Sequence, residues 1–121
     1  MSKVYTSYHI AKKLKKPIQW GLPFAISIEP TTSCNLRCPE CPSGLRSFTR
    51  PTGMLDPELF EKIIDDVHRH VNYLTFYFQG EPYLHPKFLD MVAYARTKKI
   101  YTATSNNAHF LNDLKAKETI E

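Results

Sequence analysis

The stretch "FAISIEPTTSCNLRCPECPSG" (residues 24–44) joins a run of β-forming residues to a loop that holds every cysteine of the chain. The β-branched and aromatic character of residues 24–30 predicts a short strand. The loop that follows, from residue 31 to about residue 50, is rich in proline and glycine and is predicted to lack regular structure. Such a cluster of thiols in one loop predicts a metal or redox site rather than unrelated buried cysteines; they are Cys34, Cys38 and Cys41.

Strands and helices are predicted to alternate along the rest of the chain. Two further β-rich runs follow at residues 73–79 and 100–105. Apolar residues repeat at helical spacing in 55–71 and 87–98, and a third helix is predicted to open at residue 106. This order predicts an α/β fold with a parallel sheet built from right-handed crossovers.

Two of the predicted helices, the one over residues 55–71 and the one that opens at residue 106, have more specific sequence signals. Asp56 is a plausible N-cap, and Pro57 suits the first helical position. The third helix is predicted to bury one edge through three apolar residues, Phe110, Leu111 and Leu114.

Three polar segments follow the three predicted strands. The cysteine loop follows the first, "QGEP" (79–82) the second and "SNN" (105–107) the third. Ligands of parallel α/β sheets bind at the carboxyl ends of the strands. We therefore expect all three segments to lie on one rim of the sheet.

Composition indicates a globular chain with a basic start. The chain has 121 residues, 42% of them hydrophobic, and a net charge of +4. Residues 1–23 form a basic lead, predicted to be helical up to Pro17, and its lysines suit a solvated arm or an anionic partner. No basic stripe with interleaved aromatics supports a nucleic-acid partner, so none is predicted. Neither a signal peptide nor an apolar span is predicted, which indicates no membrane association and a cytoplasmic location.

The third strand is predicted to leave one edge of the sheet uncovered. Parallel sheets are normally buried on both faces, and an open edge strand is a liability. We therefore expect residues 24–121 to be the N-terminal portion of a longer core domain, and the chain alone to be incomplete and inactive.

Two kinds of inorganic centre suit three thiolates. Structural zinc prefers four protein ligands, so a zinc-binding interaction module would need a histidine to complete the set, with His68, His70, His85 and His109 as candidates. Electron-transfer iron–sulfur clusters usually have four cysteines. A cube held by three cysteines leaves one iron open to a substrate or cofactor. From these residues alone, the zinc, electron-transfer and catalytic alternatives stay open.

The arrangement of motifs resembles the radical S-adenosylmethionine (radical SAM) enzyme family. "CNLRCPEC" (34–41) matches its C-x₃-C-x₂-C signature, "QGEP" (79–82) resembles its Gly-Gly-Glu-Pro motif, and "TSNN" (104–107) resembles its Thr-Asn-Gly-like segment. The resemblance extends over residues 24–111. It implies that the chain supplies the first three βα units of a partial (β/α)₆ TIM-like barrel.

The resemblance also implies a chemistry. Cys34, Cys38 and Cys41 would hold a [4Fe–4S] cluster whose open iron binds the methionyl amine and carboxylate of S-adenosylmethionine. A one-electron donor such as flavodoxin or ferredoxin would reduce the cluster, and cofactor cleavage would yield a 5′-deoxyadenosyl radical. That radical abstracts hydrogen from a substrate that the sequence leaves unidentified, with a peptide or protein as one candidate. No catalytic residue is assigned.

The other motif residues would contact the cofactor. Gly80 would allow close backbone approach to its methionine end, and Pro82 would fix the turn. Glu81 would accept from the ammonium group or else order the loop through backbone amides. Ser105 and Asn106 would bond the carboxylate or ribose, or else the segment would cap the following helix, with Asn106 or Asn107 as its N-cap.

Two positions depart from the family pattern. Glu40 stands where an aromatic residue often precedes the third cysteine, and Gln79 occupies the first position of Gly-Gly-Glu-Pro. "CPECPSG" (38–44) further resembles the subgroup with a C-terminal, cysteine-rich (SPASM-like) extension that carries auxiliary clusters. Residues 1–121 contain no further cysteines for such clusters.

Overall fold

A computed structural model describes residues 2–120. Residue 1 of the predicted basic lead (1–23) and residue 121 of the predicted core-domain portion (24–121) lie outside the described residues. The strands are β1 (Ala25–Ile28), β2 (Tyr73–Phe76) and β3 (Tyr101–Thr104). The helices are α1 (Ser2–Leu14), α2 (Pro42–Leu45), α3 (Pro57–Val67), α4 (Phe88–Thr97) and α5 (Asp113–Ile120), and a 3₁₀ turn spans Pro82–Leu84.

The strands form a parallel sheet in the order β1-β2-β3, as predicted. The register aligns Ile26 with Leu74 and Leu74 with Thr102, so alternate residues of neighbouring strands share a face. One face packs on the helices, and the other carries Tyr73 stacked on Tyr101 with ring centroids 5.4 Å apart.

The core lies between the sheet and helices α3 and α4. Phe60 and Phe76 meet with ring centroids 5.6 Å apart, and Phe88 packs edge-on against Phe76. The remaining buried apolar residues are Ile64, Val71, Leu74, Met91, Ala95 and Ile100. Burying one such side chain stabilises the fold by about 1.5–3 kcal/mol before the entropy cost is counted.

Helix α3, between the cysteine loop and β2, begins where the sequence predicts. The backbone N–H of Leu59 donates to the carboxylate of Asp56 at 3.0 Å, so Asp56 is the N-cap of α3, and Pro57 is its first residue. Helix α3 ends at Val67, earlier than the predicted residue 71, and each strand is shorter than its predicted run.

The third predicted helix is wrong in its start and in its buried edge. Helix α5 begins at Asp113, and the side chain of Asn112 accepts from the N–H of Lys115 at 2.9 Å. Asn112 therefore caps the helix, which excludes both predicted caps, Asn106 and Asn107. Leu111 and Leu114 are exposed, and α5 has no buried residue. Sequence periodicity failed here because Phe110 and Leu111 precede the helix, and Leu114, within it, faces solvent.

Helix α1 confirms the predicted helical lead and lies at the amino ends of the strands. It ends at Leu14, before Pro17. A groove of about 1130 Å³ lies between α1 and the connector to β1, lined in part by Tyr5, Tyr8 and Trp20. Within residues 2–120, no helix is long and apolar enough to span a membrane.

Candidate functional site

The base of the cysteine loop is closed by an antiparallel bridge between Thr31 and Met54. The N–H of Thr32 donates to the carbonyl of Gly53 at 3.1 Å, and the N–H of Leu55 donates to the carbonyl of Pro30 at 2.8 Å. The Thr31 hydroxyl adds a bond to the Gly53 carbonyl at 3.0 Å. The loop is therefore held at both ends, which limits the conformations that its cysteines can adopt.

The loop contains a short helix, α2, where the sequence predicted irregular structure. Pro42 begins the helix because the first helical position needs no N–H donor. Gly44 lies against the backbone of Cys38, and a side chain at Gly44 would overlap the Cys38 carbonyl and approach the carbonyl carbon of Arg37 to 2.9 Å. The close approach draws the second and third cysteines together.

All three cysteines are free thiols. Cys34 and Cys41 are half-buried, and Cys38 is exposed. The backbone N–H of Gly44 is the main influence that lowers the pKa of the Cys41 thiol; desolvation opposes it, and the N–H and hydroxyl of Ser43 add to it. A lowered pKa favours the thiolate, which is the form that binds metal.

Within the described residues, no three His, Cys, Asp or Glu side chains converge on a position for a single metal ion. A cluster makes a different demand, because each thiolate of a cube takes its own iron and the sulfurs need not meet at one point. His85 is not available as a fourth zinc ligand. Its Nε2 lies 2.8 Å from the Leu55 carbonyl, and its Nδ1 accepts from the N–H of Lys87 at 3.1 Å.

Gly80 lies against the start of the cysteine loop. Its φ is +81°, and a Cβ at this position would overlap the carbonyl of Thr31 and lie 2.9 Å from the carbonyl of Ser33. The absent side chain therefore makes room for the start of the cysteine loop. The N–H of Glu81 donates to the Ser33 carbonyl at 2.8 Å and fixes that contact.

Glu81 orders the rim through backbone amides. Its carboxylate is buried, and it accepts from the N–H of Tyr83 at 3.2 Å and from the N–H of Asn107 at 2.8 Å. A buried carboxylate needs such donors, because an unpaired buried charge is costly. The structure thus favours the loop-ordering role of Glu81 over the ammonium contact. Pro82, also buried, begins the 3₁₀ turn that follows.

The residues after β3 lie on the same rim. Ser105 and Asn106 are exposed, and the Asn106 side chain accepts from the N–H of Ala108 at 2.8 Å. The side-chain amide of Asn107 donates to that of Asn35 at 2.8 Å, which links the third segment to the cysteine loop. The three polar segments predicted to share one rim therefore do so.

Sequence reasoning missed the side-chain network around Cys41. The amide oxygen of Gln79 lies 3.3 Å from Cys41 Sγ and 3.1 Å from the hydroxyl of Ser43. The N–H of Gly80 donates to the same hydroxyl at 3.2 Å. The only signal for it was that Gln79 replaces the usual glycine of the motif.

Residues 28–121 match the Radical SAM superfamily. The chain therefore belongs to the radical SAM superfamily of enzymes, which carry out radical chemistry with S-adenosylmethionine. A [4Fe–4S] cluster and S-adenosylmethionine are its cofactors.

Two curated relatives are similar to most of the chain. The tungsten-containing aldehyde ferredoxin oxidoreductase cofactor-modifying protein of Pyrococcus furiosus is 35% identical over 78% of this chain and 26% of its own length. Mycofactocin maturase MftC of Mycobacterium ulcerans is 31% identical over 83% of this chain and 27% of its own length. The chain thus spans about a quarter of each relative.

Solved structures show the same fold. BtrN in complex with AdoMet and 2-DOIA superposes with a TM-score of 0.74 at 23% identity, over 83% of this chain and 42% of that chain. Streptococcus suis SuiB bound to S-adenosylmethionine superposes with a TM-score of 0.68 at 22% identity. The match covers 92% of this chain and 25% of the SuiB chain. These are TIM-like barrel enzymes, so the three strands correspond to part of such a barrel.

Proposed function

We propose that Cys34, Cys38 and Cys41 hold the [4Fe–4S] cluster of this radical SAM chain. The observation that carries the proposal is the position of three free thiols in one clamped loop, beside the segment that follows β2. Three thiolates satisfy three irons of a cube. The cluster, when bound, supplies the electron that cleaves S-adenosylmethionine to methionine and a 5′-deoxyadenosyl radical.

The donor set fits such a group. Thiolates are the ligands that iron–sulfur clusters prefer. Cys38 is exposed and the other two thiols are half-buried, so iron and sulfide can reach all three. The lowered pKa of Cys41 favours its ligating form.

The rim beside the loop would bind the methionine end of S-adenosylmethionine. Because the carboxylate of Glu81 is engaged by two amides, we assign its contribution to holding the segment from Gly80 to Pro82 in place, with backbone carbonyls there accepting from the ammonium group. Ser105 and Asn106, exposed at the end of β3, are the candidates to bond the cofactor's carboxylate or ribose.

For the whole protein, we propose a substrate that is a peptide or protein undergoing maturation. The basis is that one curated relative is a maturase and the other is a cofactor-modifying protein. A one-electron donor of the flavodoxin or ferredoxin type would reduce the cluster. The products then are a hydrogen-abstracted substrate, methionine and 5′-deoxyadenosine.

Anaerobic reconstitution with iron and sulfide tests the cluster assignment. The chain should take up about four irons and four sulfides, and Cys38→Ala should abolish uptake, because two thiolates cannot retain the cube. Ser47→Ala, at an exposed serine of the same loop, is the control and should load normally. A chain that binds one zinc and takes up no iron would contradict the proposal.

A further inference from the structure

We propose that Gln79 is a positioning residue that donates a hydrogen bond from its side-chain amide to the Cys41 thiolate and raises the reduction potential of the cluster. The inference rests on the proposed function, since it requires Cys41 to be a cluster ligand. It concerns a residue that departs from the family's usual glycine, so the family pattern does not supply it.

The starting geometry is a compact network of three side chains. The Cys41 thiol donates to Gln79 Oε1, with sulfur and oxygen 3.3 Å apart. The Ser43 hydroxyl donates to the same oxygen at 3.1 Å and accepts from the N–H of Gly80 at 3.2 Å. Gln79 is half-buried, so water does not fully screen these contacts.

Ligation of iron changes the hydrogen-bonding character of the sulfur. A thiolate has no hydrogen to donate, so an amide oxygen at hydrogen-bond distance from it would be repelled. Rotation of the Gln79 carboxamide about its last bond exchanges Oε1 for Nε2, which carries two donor hydrogens. This rotation has a low barrier, because the last torsion of glutamine has broad preferences.

The rotated network gives both hydrogens of the Gln79 amide an acceptor. One hydrogen of Gln79 Nε2 points to Cys41 Sγ, and the other points to the hydroxyl oxygen of Ser43, which already lies 3.1 Å from the amide. The Ser43 hydroxyl, which no longer donates to Gln79 Oε1, is then free to direct its own hydrogen elsewhere. It continues to accept from Gly80.

Hydrogen bonds to a ligating sulfur stabilise the more negative, reduced state of a cluster. Reduction potentials of iron–sulfur clusters depend on such bonds. Gln79 should therefore ease the one-electron reduction that begins the reaction. A glycine at this position, as in the usual motif, has no side chain to provide this bond.

The test is a redox titration of the reconstituted chain, followed by electron paramagnetic resonance. In Gln79→Met, which has a side chain of similar length without a donor, iron content should stay near wild type. Its equilibrium constant for one-electron reduction should fall by about tenfold, or about 59 mV. Gln19→Met, at an exposed glutamine in the connector before β1, should leave the potential unchanged.

A second readout separates the hydrogen bond from a purely structural role. Deuterium exchange should shift the iron–sulfur stretching bands in the resonance Raman spectrum of the wild type, and less so in Gln79→Met. Gln79→Glu keeps an acceptor for the Ser43 hydroxyl but cannot donate when ionised, so its deuterium shift should also be reduced, even if the Met variant fails to load.

The outcomes are distinguishable. A lower potential with a smaller deuterium shift at normal iron content supports the proposal. A potential and a deuterium shift equal to wild type in the variants that load overturn it, while leaving the cluster assignment intact. Failure of the wild type itself to take up a cluster would overturn the proposed function, and this inference with it.

Discussion

The buried carboxylate of Glu81 accepts a hydrogen bond from the backbone N–H of Asn107 at 2.8 Å, across 26 residues of sequence. This bond ties the segment after β2 to the segment after β3. Because the N–H of Glu81 also donates to Ser33 in the cysteine loop, Glu81 contacts all three rim segments or their neighbours. Glu81 therefore links the three segments through two groups, its carboxylate and its backbone N–H.

Glu81→Gln should destabilise the chain by about 1–3 kcal/mol. The substitution replaces one acceptor oxygen with an NH₂ group that faces a backbone N–H, so one buried donor loses its partner. Denaturant unfolding would measure the loss. Glu61→Gln, at an exposed position of α3, is the matched control and should change stability by less than about 0.5 kcal/mol. Equal stability of the two variants would contradict the role assigned to Glu81.

Gly80→Ala should impair both iron retention and cofactor binding. The positive φ alone costs an alanine about 1–2 kcal/mol, and its Cβ would overlap the Thr31 carbonyl at the start of the cysteine loop. Gly53→Ala is the control, because a Cβ at Gly53 would have no atom within 4 Å. Iron content after reconstitution, and the effect of S-adenosylmethionine on the electron paramagnetic resonance signal, would measure the two losses. Normal iron content with lost cofactor binding would instead favour a direct contact between Gly80 and the cofactor.

Asn112→Ala should weaken α5 by about 1 kcal/mol, because it removes the N-cap that accepts from the N–H of Lys115. Amide hydrogen exchange in α5 should become faster. Asn106→Ala should leave exchange in α5 unchanged, since its side chain bonds Ala108 in a turn before the helix. The reverse pattern would restore the sequence-based prediction that Asn106 caps the helix.

Asp65→Asn should reduce the loss of folding stability that acid causes in the wild type. The hydrogen bond from Lys98 is the main cause that lowers the pKa of Asp65, and the Tyr94 hydroxyl adds to it. The stabilisation is therefore fully present above the ordinary pKa of 3.8 and is lost as the pH falls through the lower folded-state pKa. Unfolding measured across this range should show a smaller slope in Asp65→Asn than in Asp66→Asn, an exposed neighbour on α3. Identical slopes would contradict the prediction.

The same ion pair should also make stability depend on pH in the alkaline range. There, stability should fall as the pH rises. The hydrogen bond to Asp65 is the main cause that raises the pKa of Lys98 above 10.5. This stabilisation is present below pH 10.5 and disappears as the pH rises through the folded-state pKa. Lys98→Met should remove that part of the alkaline dependence, and high salt should reduce it in the wild type, because the pair is partly exposed. A salt-insensitive profile identical in both proteins would exclude the pair as its source.

Sequence patterns among residues close together in the chain predicted most of the fold. The run of β-branched residues before the cysteines, the alternation of strands and helices, and the Asp56-Pro57 start of α3 depend on contacts within a few residues, so the sequence alone predicted them. The cysteine spacing and the order of the three rim segments likewise identified the family before any geometry was known. Local reasoning failed at α5, because Phe110 and Leu111 precede the helix and Leu114, within it, is exposed.

Only the tertiary structure decided how the rim is held together. The contact of Gly80 with Thr31, the bond from Asn107 to Glu81 and the approach of Gln79 to Cys41 each join segments separated by tens of residues. Nothing in the local sequence specifies such partners, because they meet only after the parallel strands have brought their carboxyl ends to one edge. The sequence alone determined the residue types and the motif spacings. The packing of the sheet against α3 and α4 determined which residue each of these rim residues contacts.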